Sequence, residues 1–366
     1  MSGRQEASRL ISKAIALIIV TILIVIGIRL EPAEAKGAIT SASVRVQAGG
    51  RAFQVQTVSI PKGTPVTLGL AKRQVGQTEA FTSIVKNYRA TAAINGAFFN
   101  AYGGPADPYG TLIVKGRLAH FGGYGTSIGF LPDGTAIMAS LRSSLTGTVT
   151  TPQGQSLGWY AVFLNRTPSD GANTIIKYTP DRGSRVGFTG GIAVTIAKGV
   201  VIDKGTNTNV AIPSNGYVLV FTGSEKKSAD RFVKGSTVEE SLVYKDDQGN
   251  SLPWEHVVTA VGAGPRLVRD GQVELNAKAE GFNDPKILTS SAARSGIAIM
   301  PDGSLILATV NGATMQQWAA IMKALGAKQA MNLDGGASSA LYANGKVLTQ
   351  PGRSLSNVLV FGSNVN

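Results

Sequence analysis

Asp334 is the residue whose type and surroundings best suit chemistry, because it ends a short apolar run in the string MNLDGGASS, Met331 to Ser339. It is followed by two glycines and two hydroxyl residues, which are Gly335, Gly336, Ser338 and Ser339. This order displays a carboxylate where backbone N–H groups can approach a ligand closely. An Asp-Gly hairpin turn has the same local sequence, so the string alone is typical of both a site and a turn.

The elements that would position Asp334 are a helix and a short strand. Thr314 and Gln317 have the spacing of a capping box, and Gly326 is a typical helix end. The segment Gln329 to Leu333 then reads as a strand that leads directly into Asp334. We therefore expect the carboxylate at the end of a strand rather than in a long loop.

The same order of helix, strand and turn occurs once earlier in the chain. Apolar residues with a helical period from Thr78 to Tyr88 precede a short strand, Thr91 to Ile94, which leads into Asn95 and Gly96. The two turn motifs therefore occupy equivalent positions. If the two strand ends meet, the Asn95 amide and the Asp334 carboxylate lie side by side, and the neighbouring glycines offer backbone N–H groups.

Two pairs of hairpins repeat as well. GTLIVKGRL resembles GPRLVRDGQV, and TSIGFLPDG resembles SGIAIMPDG. Aligning the Pro-Asp-Gly turns of the second pair places Arg294 opposite Gly125. A repeated scaffold needs no arginine here, so Arg294 is either a solvated surface residue or a functional cation whose guanidinium suits a phosphate.

Short alternating segments and glycine-rich turns predict an α+β fold, with a mixed, hairpin-rich β-sheet core, a few packed helices and pseudo-duplicated helix-strand-turn units. No low-complexity linker interrupts residues 40–366. We expect N-terminal strands and a first helix over residues 36–89, continuous with a main domain over residues 90–366.

The first segment has the pattern of an export signal. Basic residues precede an apolar run from Ala14 to Ile28, and Ala33-Glu34-Ala35 supplies a small-x-small cleavage site. We therefore predict a signal peptide over residues 1–35 and a periplasmic or extracellular protein. The alternative is a membrane anchor over residues 14–30, although the apolar run is shorter than the roughly 20 residues of a bilayer span.

Composition excludes several classes of function. The chain has no cysteine, which excludes disulfides, thiol catalysis and Cys-based zinc sites, and its two histidines do not indicate a metal site. We predict no metal and no cofactor, and calcium is compatible with the oxygen ligands but not indicated. The net charge of +13 favours anionic partners, but the basic residues lack aromatic interleaving, so nucleic acid is not an expected partner.

Five motifs follow one another between residues 90 and 361: Asn95-Gly96-Ala97-Phe98-Phe99, the string from Gly264 to Gly271, the strand that begins at Arg294, MNLDGGASS, and Arg353-Ser354-Leu355-Ser356-Asn357. In this order they resemble the motifs of the phosphodiester glycosidase family. That family is related to N-acetylglucosamine-1-phosphodiester alpha-N-acetylglucosaminidase, and its bacterial members are often described as exopolysaccharide biosynthesis proteins. Two positions depart from the family pattern, because Ala97 and Ala337 each stand where a glycine is usual.

The resemblance implies hydrolysis of a sugar-phosphate diester at its glycosidic side. It implies Asp334 as nucleophile or general base, Arg294 as phosphate clamp and Asn95 as the residue that orients the sugar or the carboxylate. Supporting contacts would come from Gly96, Gly335, Gly336, Ser338, Ser339, Arg353 and Asn100, of which Asn100 is equally typical of a turn-stabilising residue.

The expected substrate is a phosphorylated glycan or other sugar-phosphodiester in cell-wall or exopolysaccharide material. The membrane would be contacted only through an uncleaved signal segment. The alternative function is that of a non-catalytic glycan-binding or exopolysaccharide assembly protein that keeps the fold and uses the basic surface. A third interpretation is that the same scaffold carries another hydrolase activity.

Overall fold

The strands of this protein, seen in a computed structural model, form four sheets within residues 37–122 and 125–365, which are the residues that the structure describes. All described residues fall in one compact unit. The predicted signal peptide, residues 1–35, lies outside the described residues.

The first sheet has seven strands and contains the strand that leads to Asp334. In spatial order its strands are β1 (Thr40–Ala48), β2 (Arg51–Ile60), β21 (Leu305–Ala313), β20 (Ala292–Ile299), β22 (Gln329–Asn332), β18 (Arg266–Arg269) and β19 (Gln272–Val273).

Two sheets have five strands each. One contains the strand that leads to Asn95, in the order β24 (Lys346–Thr349), β23 (Leu341–Ala343), β4 (Ala92–Asn95), β25 (Asn357–Phe361) and β3 (Val66–Leu70). The other has the order β6 (Arg117–His120), β5 (Leu112–Val114), β17 (Thr259–Gly262), β7 (Thr126–Phe130) and β8 (Ala136–Ser140).

The fourth sheet has eight strands, formed almost entirely by the middle of the chain. Its order is β10 (Ser156–Ala161), β9 (Arg142–Thr150), β16 (Thr237–Lys245), β14 (Val200–Thr208), β13 (Thr189–Ala197), β15 (Gly216–Phe221), β12 (Ile175–Tyr178) and β11 (Phe163–Leu164). It packs around a hydrophobic core of its own that includes Trp159.

The described helices are few and short. The α-helices are α1 (Phe81–Asn87), α2 (Pro285–Leu288) and α3 (Met315–Ala324), and the 3-10 helices are Ala71–Arg73, Pro180–Arg182, Gly223–Arg231, Trp254–His256 and Gly336–Ser338. Helix α3 begins as predicted, because Thr314 and Gln317 form a reciprocal capping box.

The two strand ends of interest meet because one core joins three sheets. Ile94 of β4, Met331 of β22 and Ile128 of β7 are fully buried in the same hydrophobic cluster. Burying these strands against each other fixes where their C-terminal ends project. The polar residues that follow β4 and β22 are therefore brought to one place.

The predicted mixed, sheet-rich fold with few helices is confirmed, but the pseudo-duplication is not shown. Strand β22 pairs with β20 and β18, which belong to the repeated hairpins of the second half. Its counterpart β4 pairs instead with β23 and β25, in a different sheet from β5 and β7. The repeated strings therefore share local structure without sharing strand partners.

Candidate active site

Asp334 follows β22 and begins a tight turn that closes with a 3-10 helix, Gly336–Ser338. Its carboxylate accepts a hydrogen bond of 2.8 Å from the Gly335 N–H. A side chain at Gly335 would approach the Ala293 carbonyl oxygen at 2.8 Å, and Gly336 has a φ of +58°, so both positions favour glycine. The turn thus requires the two glycines that follow Asp334 in the sequence.

Asn95 holds this turn from the end of β4. Its side-chain amide donates a hydrogen bond of 2.6 Å to the backbone carbonyl of Asp334, and its side-chain oxygen accepts one of 2.9 Å from the Ala340 N–H. The side chain is 1% exposed. Both ends of the Asn95 amide therefore bind the backbone of the turn rather than the Asp334 carboxylate.

The neighbouring motif residues complete a chain of contacts. The Gly96 carbonyl accepts a hydrogen bond of 3.0 Å from the Asp334 N–H, and the Gly96 N–H donates to the Asn357 carbonyl at 3.1 Å. The Asn357 side-chain oxygen accepts from the Ala97 N–H at 2.7 Å. Since the Gly96 N–H is already bonded, it is not available to a substrate.

Two further motifs adjoin the same turn from the other side. The Asn332 side chain donates to the Gly264 carbonyl at 2.9 Å. Gly296 of β20 is paired with Asn332, and the Leu333 N–H donates to the Ser295 carbonyl at 2.9 Å. This antiparallel register places Arg294 beside Asp334. All five motifs behind the family resemblance therefore meet around one turn.

Arg294 is buried, with 2% exposure, and its pKa is lowered by that burial. A β-bulge between Ala292 and Arg294 interrupts the pairing of β20 with β21 and aims this side chain. Its Nε donates to the Ala313 carbonyl at 3.0 Å, and its Nη2 donates to the carbonyls of Lys286 at 3.0 Å and Ser290 at 2.5 Å.

These bonds change what Arg294 can offer a phosphate. Nε and Nη2 are committed to backbone carbonyls, so the two-nitrogen fork that we expected for phosphate is not free. Nη1 is the nitrogen of Arg294 with no acceptor among the described residues. Arg294 also shows no carboxylate within ion-pair distance in the described part of the chain, so its charge is uncompensated.

Asp334 and Arg294 line one cavity of about 550 Å³, which we call the inner cavity. It is lined by residues of the turn, by aromatic residues and by the segment around α2. The lining residues are Phe98, Phe99, Ala101, Tyr102, Tyr109, Phe282, Asp284, Lys286, Ile287, Ser290, Ser291, Ala292, Arg294, Asp334, Gly335, Gly336, Ala337, Ser338 and Arg353.

The surroundings of Asp334 raise its pKa from 3.8 to about 6. Burial is the main cause, and it outweighs the hydrogen bonds from Ser338 and Gly335 and the charge of Arg353, which all lower the pKa. The residue is half-buried, so its carboxyl is sheltered by protein while still lining the cavity. A carboxyl that titrates near pH 6 suits general base or nucleophilic chemistry near neutrality.

Two cations and a tyrosine form the rim of the inner cavity. Tyr102 is 80% exposed, and its ring centroid lies 5.2 Å from the Arg353 guanidinium carbon and 5.5 Å from the Lys286 Nζ. Its pKa is lowered, first by a hydrogen bond from Arg353 and then by the charge of Lys286. Within the described residues, neither cation has a carboxylate within 4 Å. The mouth is therefore positively charged.

The structure brings most of the predicted site residues to the inner cavity. Asp334, Arg294, Arg353, Gly335, Gly336 and Ser338 line it. The other four lie close by: Asn95 and Gly96 support the turn from behind, Ser339 is buried beneath it, and Asn100 lines a neighbouring cleft. The two alanines that stand where the family pattern has glycine lie in different surroundings: Ala97 is buried in the core, whereas Ala337 lines the cavity.

Several lining residues were missed by reasoning from the sequence. Phe282, Lys286 and Ser290 belong to the segment between β19 and β20, which reads as a polar connection without a motif. The one local signal there is Asp284 before Pro285, a helix start that the structure realises when Asp284 caps α2. Two tyrosines, Tyr102 and Tyr109, also line the cavity, whereas the tryptophans Trp159 and Trp254 are core residues.

Other classes of site receive no support within residues 37–122 and 125–365. There, no group of three or more His, Cys, Asp or Glu residues could hold a metal ion. His120 is buried, bonds the Gly110 carbonyl at 2.8 Å through Nδ1, and has a pKa lowered by burial to about 4. No helix in these ranges combines the length and apolar character that a membrane crossing requires.

The sheet-rich fold thus brings a buried arginine and a carboxylate of raised pKa to one cavity. Residues 190–362 match the model of the phosphodiester glycosidase family. The match confirms the family resemblance, and it includes Asp334, Arg294 and Arg353. The turn that begins at Asn95 lies outside the matched residues but is hydrogen-bonded to them. The predicted boundary at residue 90 stays a prediction.

Solved structures share the fold. A hypothetical protein from Synechocystis is similar with a TM-score of 0.75 and 26% identity, over 88% of this chain and 62% of that protein. This chain thus spans less than two thirds of that relative's length. A Burkholderia pseudomallei protein, provisionally described as exported, is similar with a TM-score of 0.68 and 22% identity, over 85% of this chain and 74% of its own.

A more distant similarity concerns the catalytic domain of zebrafish N-acetylglucosamine-1-phosphodiester alpha-N-acetylglucosaminidase. The TM-score is 0.48 and the identity 13%, over 89% of this chain and 83% of that domain. No curated protein matches the chain.

Proposed function

We propose that this protein hydrolyses a sugar-1-phosphodiester at the glycosidic bond. The products are a free sugar and a phosphomonoester on the group that was esterified to the other side of the phosphate. The observation that carries the proposal is the shared cavity, in which Asp334, with a pKa raised to about 6, stands beside the uncompensated charges of Arg294 and Arg353.

The chemistry of the leaving group fits these residues. A phosphodiester oxygen departs as a weakly basic anion, so it needs electrostatic stabilisation more than a strong general acid. Arg353 is half-buried, faces the cavity and acts on the Asp334 carboxyl through its charge. Arg353 is the principal phosphate contact in this proposal, and Nη1 of Arg294 is the second.

Asp334 acts at the anomeric carbon as nucleophile or as general base towards water. Asp284, the other carboxylate that lines the cavity, caps α2 by accepting the Lys286 N–H at 2.8 Å. Asn95 is a positioning residue, since it bonds the backbone of Asp334. The apolar wall formed by Phe98, Phe282 and Ile287 suits the faces of a sugar ring.

We also propose that the protein is exported and acts on cell-wall or exopolysaccharide material. The support is the signal pattern of residues 1–35 and the similarity to a Burkholderia protein described as exported. Amino-terminal sequencing of the mature protein tests the export step, with a start near Lys36 expected. A start at Met1 in the membrane fraction would favour the anchor formed by residues 14–30.

The activity is tested with the purified chain and a panel of sugar-1-phosphodiesters that differ in the sugar. Release of free sugar by the wild type, and not by the Asp334→Asn variant, is expected. If both proteins are inert towards every sugar and both still bind polysaccharide, the non-catalytic glycan-binding function replaces this one.

A further inference from the structure

A second cavity opens beside the inner one, and we call it the outer cleft. Its volume is about 900 Å³, larger than that of the inner cavity. Phe99, Ala101 and Arg353 line both spaces, so the two adjoin along the loop that follows β4 and at Arg353. A substrate whose phosphate contacts Arg353 therefore has room to continue into the outer cleft.

The outer cleft is positively charged. None of the described residues that line it is Asp or Glu, and three are arginines. Arg182 is buried and forms an ion pair with Asp107, so its charge is compensated. Arg185 is exposed, donates a hydrogen bond to the Asn209 carbonyl, and has no carboxylate within ion-pair distance in the described ranges. Arg185 and Arg353 thus leave two uncompensated charges.

The cleft also displays side-chain amides. Gln74 and Gln77 line it and are half-buried, and their side chains have no hydrogen-bond partner among residues 37–122 and 125–365. Planar amides that are partly sheltered and unbonded are suited to the hydroxyl groups of a sugar, because each amide offers donors and an acceptor. A small phosphodiester that fills the inner cavity would leave these groups unused.

The cleft is held in shape by a buried polar network rather than by loose loops. Asp107 accepts hydrogen bonds from Arg182 and, at 2.6 Å, from the Thr167 N–H. Arg182 donates in turn to the Thr167 hydroxyl at 2.7 Å. This network joins the loop after β4, which lines both cavities, to the segment that carries Arg185. The two walls of the outer cleft are therefore fixed relative to each other.

From these observations we infer that the outer cleft binds an anionic oligosaccharide, which is the group on the far side of the scissile phosphodiester. This inference rests on the proposed function, and it names the substrate class as a glycan chain bearing acidic groups rather than a small sugar phosphodiester. Arg185 would contact an acidic group of the chain, and Gln77 its hydroxyl groups.

The test compares three substrates that carry the same sugar-1-phosphate. The phosphate is esterified to methanol, to a neutral tetrasaccharide such as maltotetraose, or to an acidic one such as tetragalacturonate. We expect the wild-type kcat/KM to rise from the methyl ester to the neutral chain and again to the acidic chain. Loss of one charge-assisted contact in the Arg185→Gln variant should lower kcat/KM for the acidic chain about tenfold and leave the methyl ester unchanged.

Two further variants separate the cleft from general charge effects. Gln77→Ala should lower kcat/KM for both tetrasaccharides and not for the methyl ester. Arg45→Gln removes the same charge from an exposed position on β1 that lines neither cavity, and it should leave kcat/KM for each of the three substrates at its wild-type value. The inference would be overturned if Arg185→Gln left the preference for the acidic over the neutral tetrasaccharide in kcat/KM at its wild-type value. It would also be overturned if Arg45→Gln reduced that preference as much as Arg185→Gln does.

A binding measurement keeps this inference separate from the proposed function. Calorimetry with free tetragalacturonate and free maltotetraose needs no turnover. Tighter binding of the acidic chain by the wild type, weakened in the Arg185→Gln variant, supports the cleft even if all three substrates are inert. Equal, weak binding of both chains by the two proteins contradicts it even if the methyl ester is hydrolysed.

Discussion

The side-chain amide of Asn95 donates a hydrogen bond of 2.6 Å to the backbone carbonyl of Asp334, across 239 positions of the chain. This bond joins the ends of two strands, β4 and β22, which belong to different sheets. Since Asn95 also accepts from the Ala340 N–H, it spans the turn that displays the carboxylate.

Asn95→Ala should alter the titration of Asp334 as well as the stability of the protein. Without the amide, the turn can relax and expose the carboxyl, so its pKa should fall from about 6 towards 3.8. The acidic limb of the profile of kcat/KM against pH should therefore move to lower pH. Asn207 provides the control, because it is 1% exposed and bridges backbone groups in the eight-stranded sheet. Asn207→Ala should lower the Tm and leave the acidic limb of the pH profile at its wild-type pH.

Asp334→Asn should lower kcat about 10²- to 10⁴-fold, the usual range for loss of a general base, or by more if Asp334 is the nucleophile. In the wild type, kcat/KM should fall as the pH decreases through about 6, because the active form of Asp334 is the ionised one. The measurement is a pH profile between 4 and 8 with a sugar-1-phosphodiester. A rate that increases as the pH falls through 6 would show that the protonated carboxyl is the active form.

The same substitution should stabilise the folded protein at neutral pH. The pKa of Asp334 in the folded state, about 6, lies above the ordinary value of 3.8, so folding favours the protonated form and ionisation reduces the free energy of unfolding. Asp334→Asn should therefore raise the Tm at pH 7. The gain should shrink as the pH falls through 6 and vanish below 3.8, where both states are protonated. A lower Tm at pH 7 would show that the carboxylate is stabilised by its neighbours.

Arg294→Lys should lower kcat/KM about tenfold or more, because a lysine keeps the charge but loses the planar donor group. The ammonium cannot serve the carbonyls of Ala313, Lys286 and Ser290 and still face the cavity. Arg266 is the matched control: it is 3% exposed, donates to Gln329 and to the Met138 carbonyl, and does not line the inner cavity. Arg266→Lys should reduce stability and leave the activity of the folded protein unchanged.

Tyr102 should ionise below its ordinary pKa of 10 because Arg353 and Lys286 favour the phenolate. Subtracting the ultraviolet titration of Tyr102→Phe from that of the wild type isolates this tyrosine among the nine in the chain. In the Arg353→Gln variant the pKa of Tyr102 should rise, and KM for the phosphodiester should increase. An unchanged phenol pKa would mean that Arg353 points away from the rim in solution.

Local patterns in the sequence predicted the elements around the turn. The capping box of Thr314 and Gln317 is present, and the strand and helix predicted over residues 329–333 and 78–88 form as Gln329–Asn332 and Phe81–Asn87. Short-range hydrogen bonds and the period of the apolar residues determine these elements. The family motifs also indicated which residues meet. The contacts of Asn95 differ from those expected, because its amide bonds backbone groups and not the Asp334 side chain, and its role stays a prediction.

The long-range pairing of strands and the burial of the site residues could not be predicted from the sequence. The repeated strings predicted a duplication of the fold. Strand pairing is determined by which apolar faces are buried in the shared core, and β4 pairs with β23 and β25. Two of the hydrogen bonds that occupy the Arg294 guanidinium go to the carbonyls of Lys286 and Ser290, which belong to a segment that carries no motif. The pKa of Asp334 likewise depends on burial created by several sheets. The outer cleft could not be foreseen, since its walls come from four separate parts of the chain.

The most direct test of the central claim is hydrolysis of a sugar-1-phosphodiester in water enriched in oxygen-18, followed by mass spectrometry of the phosphomonoester. Attack at the anomeric carbon breaks the carbon–oxygen bond, so the account predicts that the phosphomonoester contains no label. Incorporation of one labelled oxygen into the phosphate would show attack at phosphorus, and it would contradict the assignment of this cavity to glycoside hydrolysis.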